Sequence, residues 1–154
     1  EFYAFNSRLD SLQAIVGNHT IHQVDWIIKQ KIKNADLYDE ALSKIPQITI
    51  PPREVNVKQV YHNYVIMAEK RDELLLFLHT QGIDAKVHYP TPQHLQMASK
   101  EWSYTKGDLP KSEFQSHRII SLPVHQHLSE EQINYVIERI IKFYQHQDLV
   151  ENHV

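Results

Sequence analysis

The segment Val87-His88-Tyr89-Pro90-Thr91-Pro92-Gln93-His94 sets two imidazoles and a phenol on a stretch stiffened by two prolines. Such a loop at a strand end suits ligand contact, because the scaffold holds the backbone while the polar tips stay available. The plainer alternative is a turn whose histidines are incidental. A second cluster, Phe5-Asn6-Ser7-Arg8-Leu9-Asp10, stands at the mouth of a helix. Its polar groups either cap the unpaired amides of the first turn or help hold an anion such as phosphate there. Eleven histidines in 154 residues also raise the question of metal. His125-x-His127 is one pair, but no HExxH or other zinc-type spacing accompanies it, and no metal site is expected. None of the serines lies in a GxSxG elbow, so a hydrolytic triad has no support.

These groups need elements to position them. Leu9, Leu12, Ile15, Val16, Val24, Ile27, Ile28, Ile32, Ala35, Tyr38 and Leu42 recur at three- and four-residue steps, the stripe of one long helix over the first 45 residues. Asp10 and Ser11 can serve its first amides, and Gly17-Asn18 is where it could bend. At a rise of ~1.5 Å per residue the thirty-odd residues from Leu9 to Leu42 would span roughly 50 Å, so the helix must lean on something outside its own domain. Pro46, Pro51 and Pro52 bracket a short extended piece, Ile48 to Ile50. Val60 to Met67 reads as a strand and Arg71 to Gln81 as a helix stopped by Gly82. Ile83 to Tyr89 reads as a second strand, ended by Pro90. Pro110 suits the first turn of a helix through His117, and Ile119 to Leu122 reads as a third strand. Ser129 and Gln132 form a capping box for the last helix, and the polar residues from Gln145 onward read as a frayed tail. The expected architecture is α+β: a small domain over residues 46–146 with about three strands and helices on one face, preceded by the long helix and followed by a tail at 147–154.

Composition removes several function classes. Sixteen Lys+Arg against 19 Asp+Glu give a net charge of −3, which offers no basic footprint for nucleic acid or for an anionic membrane surface. Only three glycines are present, too few and too scattered for a GxGxxG or GxxxxGK phosphate loop. The absence of cysteine excludes disulfides, thiolate zinc sites and cysteine nucleophiles. The longest apolar run, Leu74 to Leu78, is far short of the ~20 residues needed to span a bilayer. A soluble, cytoplasmic protein is expected.

Taken in order along the chain, the motifs resemble the DegT-type nucleotide-sugar aminotransferases, which use pyridoxal phosphate. Phe5-Asn6-Ser7-Arg8-Leu9-Asp10 with Leu12-Gln13-Ala14 is similar to the family's Gly-Tyr-Asn-Tyr/Ser-Arg segment and the helix after it. Tyr61-His62-Asn63-Tyr64-Val65 with Arg71-Asp72 resembles its small-domain strand and helix start. Gly82-Ile83 followed by Val87-His88-Tyr89-Pro90-x-Pro92-x-His94 resembles its active-site loop. Gly107-Asp108-Leu109-Pro110 through Glu113, then Ser121-Leu122-Pro123 with Leu128-Ser129, complete the series from Phe5 to about Tyr144. Ala4 departs from the pattern, since the family has glycine there and only glycine lacks the Cβ constraint.

The resemblance implies the small C-terminal domain of a fold-type-I aminotransferase. The large domain, with the lysine that bonds the cofactor, lies outside this sequence, and none of the eleven lysines here has that lysine's context. Asn6, with Arg8 beside it, would contact the cofactor phosphate of a neighbouring subunit. His88 and Tyr89 would line the nucleotide-sugar cleft across a dimer interface, and His94 would sit close by. No catalytic residue is expected in this chain. The chain alone is expected to hold no cofactor and to be inactive, a C-terminal portion of an enzyme that aminates a nucleotide-linked keto-sugar for cell-surface polysaccharide or glycoside biosynthesis. Enzymes acting on a dTDP-linked hexose are the nearest in character. A different class of reading is a non-catalytic nucleotide-sugar-binding or assembly module derived from the same family. A homodimer or higher oligomer is expected, with Leu9 to Leu42 in the contact.

Overall fold

In the computed structural model the backbone is described for residues 9–151 and the side chains for residues 9–147. Helix α1 (Ser11–Ile21) begins at a capping box: the Gln13 amide donates to Asp10 Oδ1 at 2.8 Å, and the Asp10 amide returns a bond to the Gln13 side chain. Helix α2 (Val24–Leu42) follows after a break at His22–Gln23, so the expected single helix is two. The break falls later than Gly17-Asn18 for a local reason. Thr20 Oγ1 donates back to the carbonyls of Val16 and Gly17, at 3.0 and 3.2 Å. Back-bonding of this kind competes with the helical ladder and bends the turn that follows. No residue of α1 is buried, whereas the second half of α2 buries Asn34, Ala35, Tyr38 and Leu42.

Three antiparallel strands form the sheet, in the order β1 (Ile48–Thr49), β2 (Tyr64–Ala68), β3 (Ile119–Leu122). The count agrees with expectation, but one member differs. The extended piece at 48 is the edge strand, while Ile83 to Tyr89 contributes only the bridge Lys86↔Ser121. The backbone of 83–85 is spent elsewhere: the Ala85 carbonyl meets His79 Nε2 at 2.8 Å, and the Ala85 amide donates to Ile83. With those groups used locally there is no ladder to extend. Strand β2 starts only at Tyr64, and within the stretch expected before it Tyr61 holds a left-handed φ of 49°, outside the extended region.

The register sets Tyr64 opposite Leu122 and Ile66 opposite Ile120. These four side chains, with Ala68, lie in the core formed with Leu74 and Leu78 of α3 (Arg71–Thr80) and with Ile133 and Ile140 of α5 (Glu130–Glu151). Alternation then puts Val65, Met67 and Ser121 on the opposite face. Pro110 opens α4 (Pro110–Ser116), and Ser129 and Gln132 cap α5 reciprocally. Residues 145–151, expected as part of a frayed tail, are helical instead, since α5 continues through Glu151. Among the described residues, no helix is long and apolar enough to cross a membrane.

Two clamps hold α2 to the rest. Tyr38 Oη donates to the Pro123 carbonyl at 2.9 Å, and Asn34 Nδ2 donates to the His125 carbonyl at 3.1 Å. On the next turn Asp39 receives Arg53 Nε and Nη2, both at 2.8 Å, and Tyr64 Oη at 2.6 Å. Burial pushes the Asp39 carboxyl up. The Arg53 and Tyr64 bonds and the Arg53 charge outweigh it and hold the group below the usual carboxylate range.

Candidate functional site

The face of the sheet turned away from the helical core carries the candidate site. Segment 86–88 lies against β3 through a reciprocal backbone pair, Lys86 N to Ser121 O at 3.0 Å and Ser121 N to Lys86 O at 2.7 Å. That pair places His88 over the buried Ser121, whose Oγ stands 2.9 Å from His88 Nδ1. The imidazole is half-buried and its Nε2 has no partner among the described residues. Tyr89 follows through a cis peptide bond, its ring edge-on to His88 at 5.7 Å between centroids. Its side chain is free: Tyr89 is 72% exposed. His88 and Tyr89 are therefore brought together as one rim, anchored at the histidine and open at the tyrosine.

His94 is placed differently. It is buried, and its Nε2 lies 3.0 Å from Glu113 Oε1 on α4. The same carboxylate oxygen accepts the Gly107 amide at 2.8 Å. The Gly107 amide and then the His94 ring hold Glu113 below the usual carboxylate range. Gly107 has φ near +100°, a conformation that suits glycine, so its amide can be aimed at Glu113 without strain. Ser99 Oγ donates to the Gln93 carbonyl at 2.6 Å, closing the loop on itself. In this arrangement His94 fastens the loop that carries Tyr89 to α4.

Between that loop and α4 opens a pocket of about 420 Å3, lined by Tyr89, Thr91, Gln93, Gln96, Ser112 and Gln115 among others. No charged side chain among the described residues lines it. Amides and hydroxyls that donate and accept suit an uncharged polar ring better than a phosphate. Asn6 and Arg8, the expected phosphate contacts, lie outside the described residues. Among the described residues no cluster of three His, Cys, Asp or Glu could hold a metal ion.

Sequence reasoning missed Ser121 and Glu113 as parts of this site. Ser121 lies 33 positions from His88 and Glu113 lies 19 from His94, so no local spacing signals either pairing. The one available hint was the short strand Ile119 to Leu122 interrupted by a serine.

The model of the DegT/DnrJ/EryC1/StrS aminotransferase family matches residues 1–141. The chain is 40% identical over 144 residues to a pleiotropic regulatory protein of Geobacillus stearothermophilus, covering 92% of this chain and 39% of that one. It is 33% identical over 135 residues to the dTDP-3-amino-3,4,6-trideoxy-alpha-D-glucose transaminase of Streptomyces venezuelae, covering 88% and 36%. Among solved structures, S. venezuelae DesV in complex with a ketimine intermediate matches with a TM-score of 0.85 at 33% identity, over 90% of this chain and 37% of that chain. A DegT DnrJ EryC1 StrS aminotransferase from Brucella abortus matches at 0.81 and 35% identity, over 90% and 36%. The chain thus spans less than two-fifths of the length of these relatives.

Proposed function

The chain belongs to the DegT/DnrJ/EryC1/StrS aminotransferase family, and from that premise we propose that it supplies the small-domain side of a site that aminates a nucleotide-linked keto-sugar. The observation that carries this reading is the His88–Tyr89 rim, set over β3 by Ser121 and left open to a ligand. Relatives whose names specify amino-sugar transaminases support the substrate class. In this reading His88 and Tyr89 bind and orient the nucleotide-sugar. His94 acts through Glu113 to keep the Tyr89 loop in place. Asn6 and Arg8 are assigned to the cofactor phosphate of a neighbouring subunit.

Pyridoxal phosphate, when bound, supplies the electron sink for moving the amino group. The described residues do not form a complete site for it. No described lysine is buried, and Lys86, the one nearest His88 in sequence, pairs with Asp84 at 2.9 Å on the exposed surface. This chain is therefore assigned binding and positioning, and no bond-making step. The uncovered apolar side of α1, where Leu12 is 76% and Ile15 65% exposed, is assigned to a homodimer contact in a cytoplasmic enzyme.

Two measurements test the reading. Incubation with pyridoxal phosphate and borohydride, followed by peptide mapping and an amino-donor assay, is expected to show no specific lysine adduct and no turnover. A single stoichiometric adduct with turnover would overturn the assignment of no bond-making group. Titration with a dTDP-hexose is expected to shift the resonances of His88 and Tyr89, and the Tyr89 shift is expected to be lost in His88→Ala. Unmoved resonances at saturating ligand would overturn the substrate assignment.

A further inference from the structure

We infer that Ser121 is a positioning residue that fixes His88 as a hydrogen-bond donor through Nε2, so that the substrate atom facing this imidazole is an acceptor oxygen. The inference rests on the reading that His88 faces the substrate, and it adds which way the hydrogen bond runs.

Ser121 grips the same segment twice. Its backbone pairs in both directions with Lys86, and its hydroxyl reaches the ring two residues further on. The register with β2 sets Ser121 opposite Val65, on the face away from the helical core, and the residue is only 6% exposed. A serine hydroxyl carries one proton to donate and lone pairs that accept. Among the described residues His88 Nδ1 is the one group within hydrogen-bond reach of Ser121 Oγ. If Nδ1 carried the hydrogen, the serine would accept and its own proton would be left buried with nowhere to go. A stranded buried donor is penalised more than an unused lone pair on an oxygen that is already bonded. The hydroxyl therefore donates to Nδ1. A neutral imidazole has a single N–H, and it must then sit on Nε2.

Three consequences follow for the site. Nε2 carries a hydrogen in the neutral ring and also in the imidazolium, so it is a donor in either form. The neutral ring offers the substrate no free lone pair at Nε2, so His88 binds rather than removes a proton. The matching ligand atom is an oxygen acceptor, which both a diphosphate and a sugar hydroxyl provide.

The test uses the 154-residue chain labelled with 15N-histidine and long-range 1H–15N correlation above the histidine titration range. The expected result is one His88 tautomer, with Nδ1 unprotonated and Nε2 protonated. A protonated Nδ1, or the averaged mixture of a free imidazole, would overturn the inference in the unmodified chain. Ser121→Ala is expected to release His88 to that averaged mixture, while Ser121→Thr retains the single tautomer. An unchanged tautomer in a folded Ser121→Ala chain would overturn the role of the hydroxyl. Inorganic pyrophosphate and free glucose, added separately, then distinguish the two oxygen sources by which one shifts Nε2. If the tautomer is as expected and neither the probes nor a dTDP-hexose moves Nε2, the substrate-facing reading of His88 falls and the positioning by Ser121 stands.

Discussion

Replacing Asp39 with alanine removes one acceptor that three donors share, and the structure sets the scale of the loss. The two Arg53 contacts form a bidentate pair, but the side chains of Arg53 and Asp39 are 28% and 25% exposed, so water screens part of it. A partly exposed pair of this kind contributes about 1 kcal/mol. Tyr64 is fully buried, and the loss of its 2.6 Å acceptor strands a phenolic hydroxyl in the core. That adds roughly 2 kcal/mol, within the usual range for an unsatisfied buried donor. Asp39→Ala is thus expected to destabilise by about 3 kcal/mol, or on the order of 10 °C in Tm for a domain of this size. Asp39→Asn keeps the oxygen that serves Tyr64 and loses the charge and the oxygen that accepts from Arg53 Nε, so about 1 kcal/mol is expected. Because folding holds the Asp39 carboxyl below its ordinary range, the unfolded chain takes up this proton first as pH falls. The contribution is complete above the unfolded value of ~3.9 and is lost as pH drops through the lower folded value. Urea unfolding followed by far-UV circular dichroism at pH 7 and below pH 4 reads all three quantities. A folded Asp39→Ala chain within ~0.5 kcal/mol of the parent at pH 7, with the same urea slope, would show that the shared acceptor contributes little. An Asp39→Asn cost equal to that of Asp39→Ala would show that the Tyr64 hydroxyl contributes nothing.

Two further expectations concern the site and its assembly. His94→Ala leaves the Gly107–Glu113 bond intact but unfastens the loop, so amide exchange at Leu95 and Ser99 should rise about tenfold while β2 and β3 keep their protection. Uniform acceleration across the core, or none in the loop, would contradict the anchoring role. Ile27 and Ile28 are half-buried within the described fold, so Leu12→Asp with Ile15→Asp is the cleaner probe of association through α1. Sedimentation should then show dissociation of a dimer without loss of helix content; a parent chain already monomeric at high concentration would refute the contact.

What could be read without the structure was local. Asp10 as a cap of the first turn, the Ser129–Gln132 box, Pro110 at a helix start and Gly82 past a helix end each involve residues within a turn of one another. Their geometry follows from the backbone alone. The ordered series of motifs from Phe5 to Tyr144 also carried the family, because it depends on residue identity in sequence order. The strand expected at 83–89 failed because strand propensity says nothing about which partner claims a carbonyl. His79 and Ile83 took the groups a ladder would have used. The helix break at His22 depended on one threonine hydroxyl turning back onto two carbonyls.

Residue pattern was enough for α3, for α4, for the capped start of α5 and for the apolar stripe that α2 buries. Tertiary structure alone decided that Ser121 meets His88, that Glu113 takes His94 into the interior, and that Asp39 joins Arg53 to Tyr64. The reason is physical: a helix cap satisfies its hydrogen bonds within four residues, whereas these pairs are separated by 14 to 33 positions and meet only when strand register and helix packing bring them together.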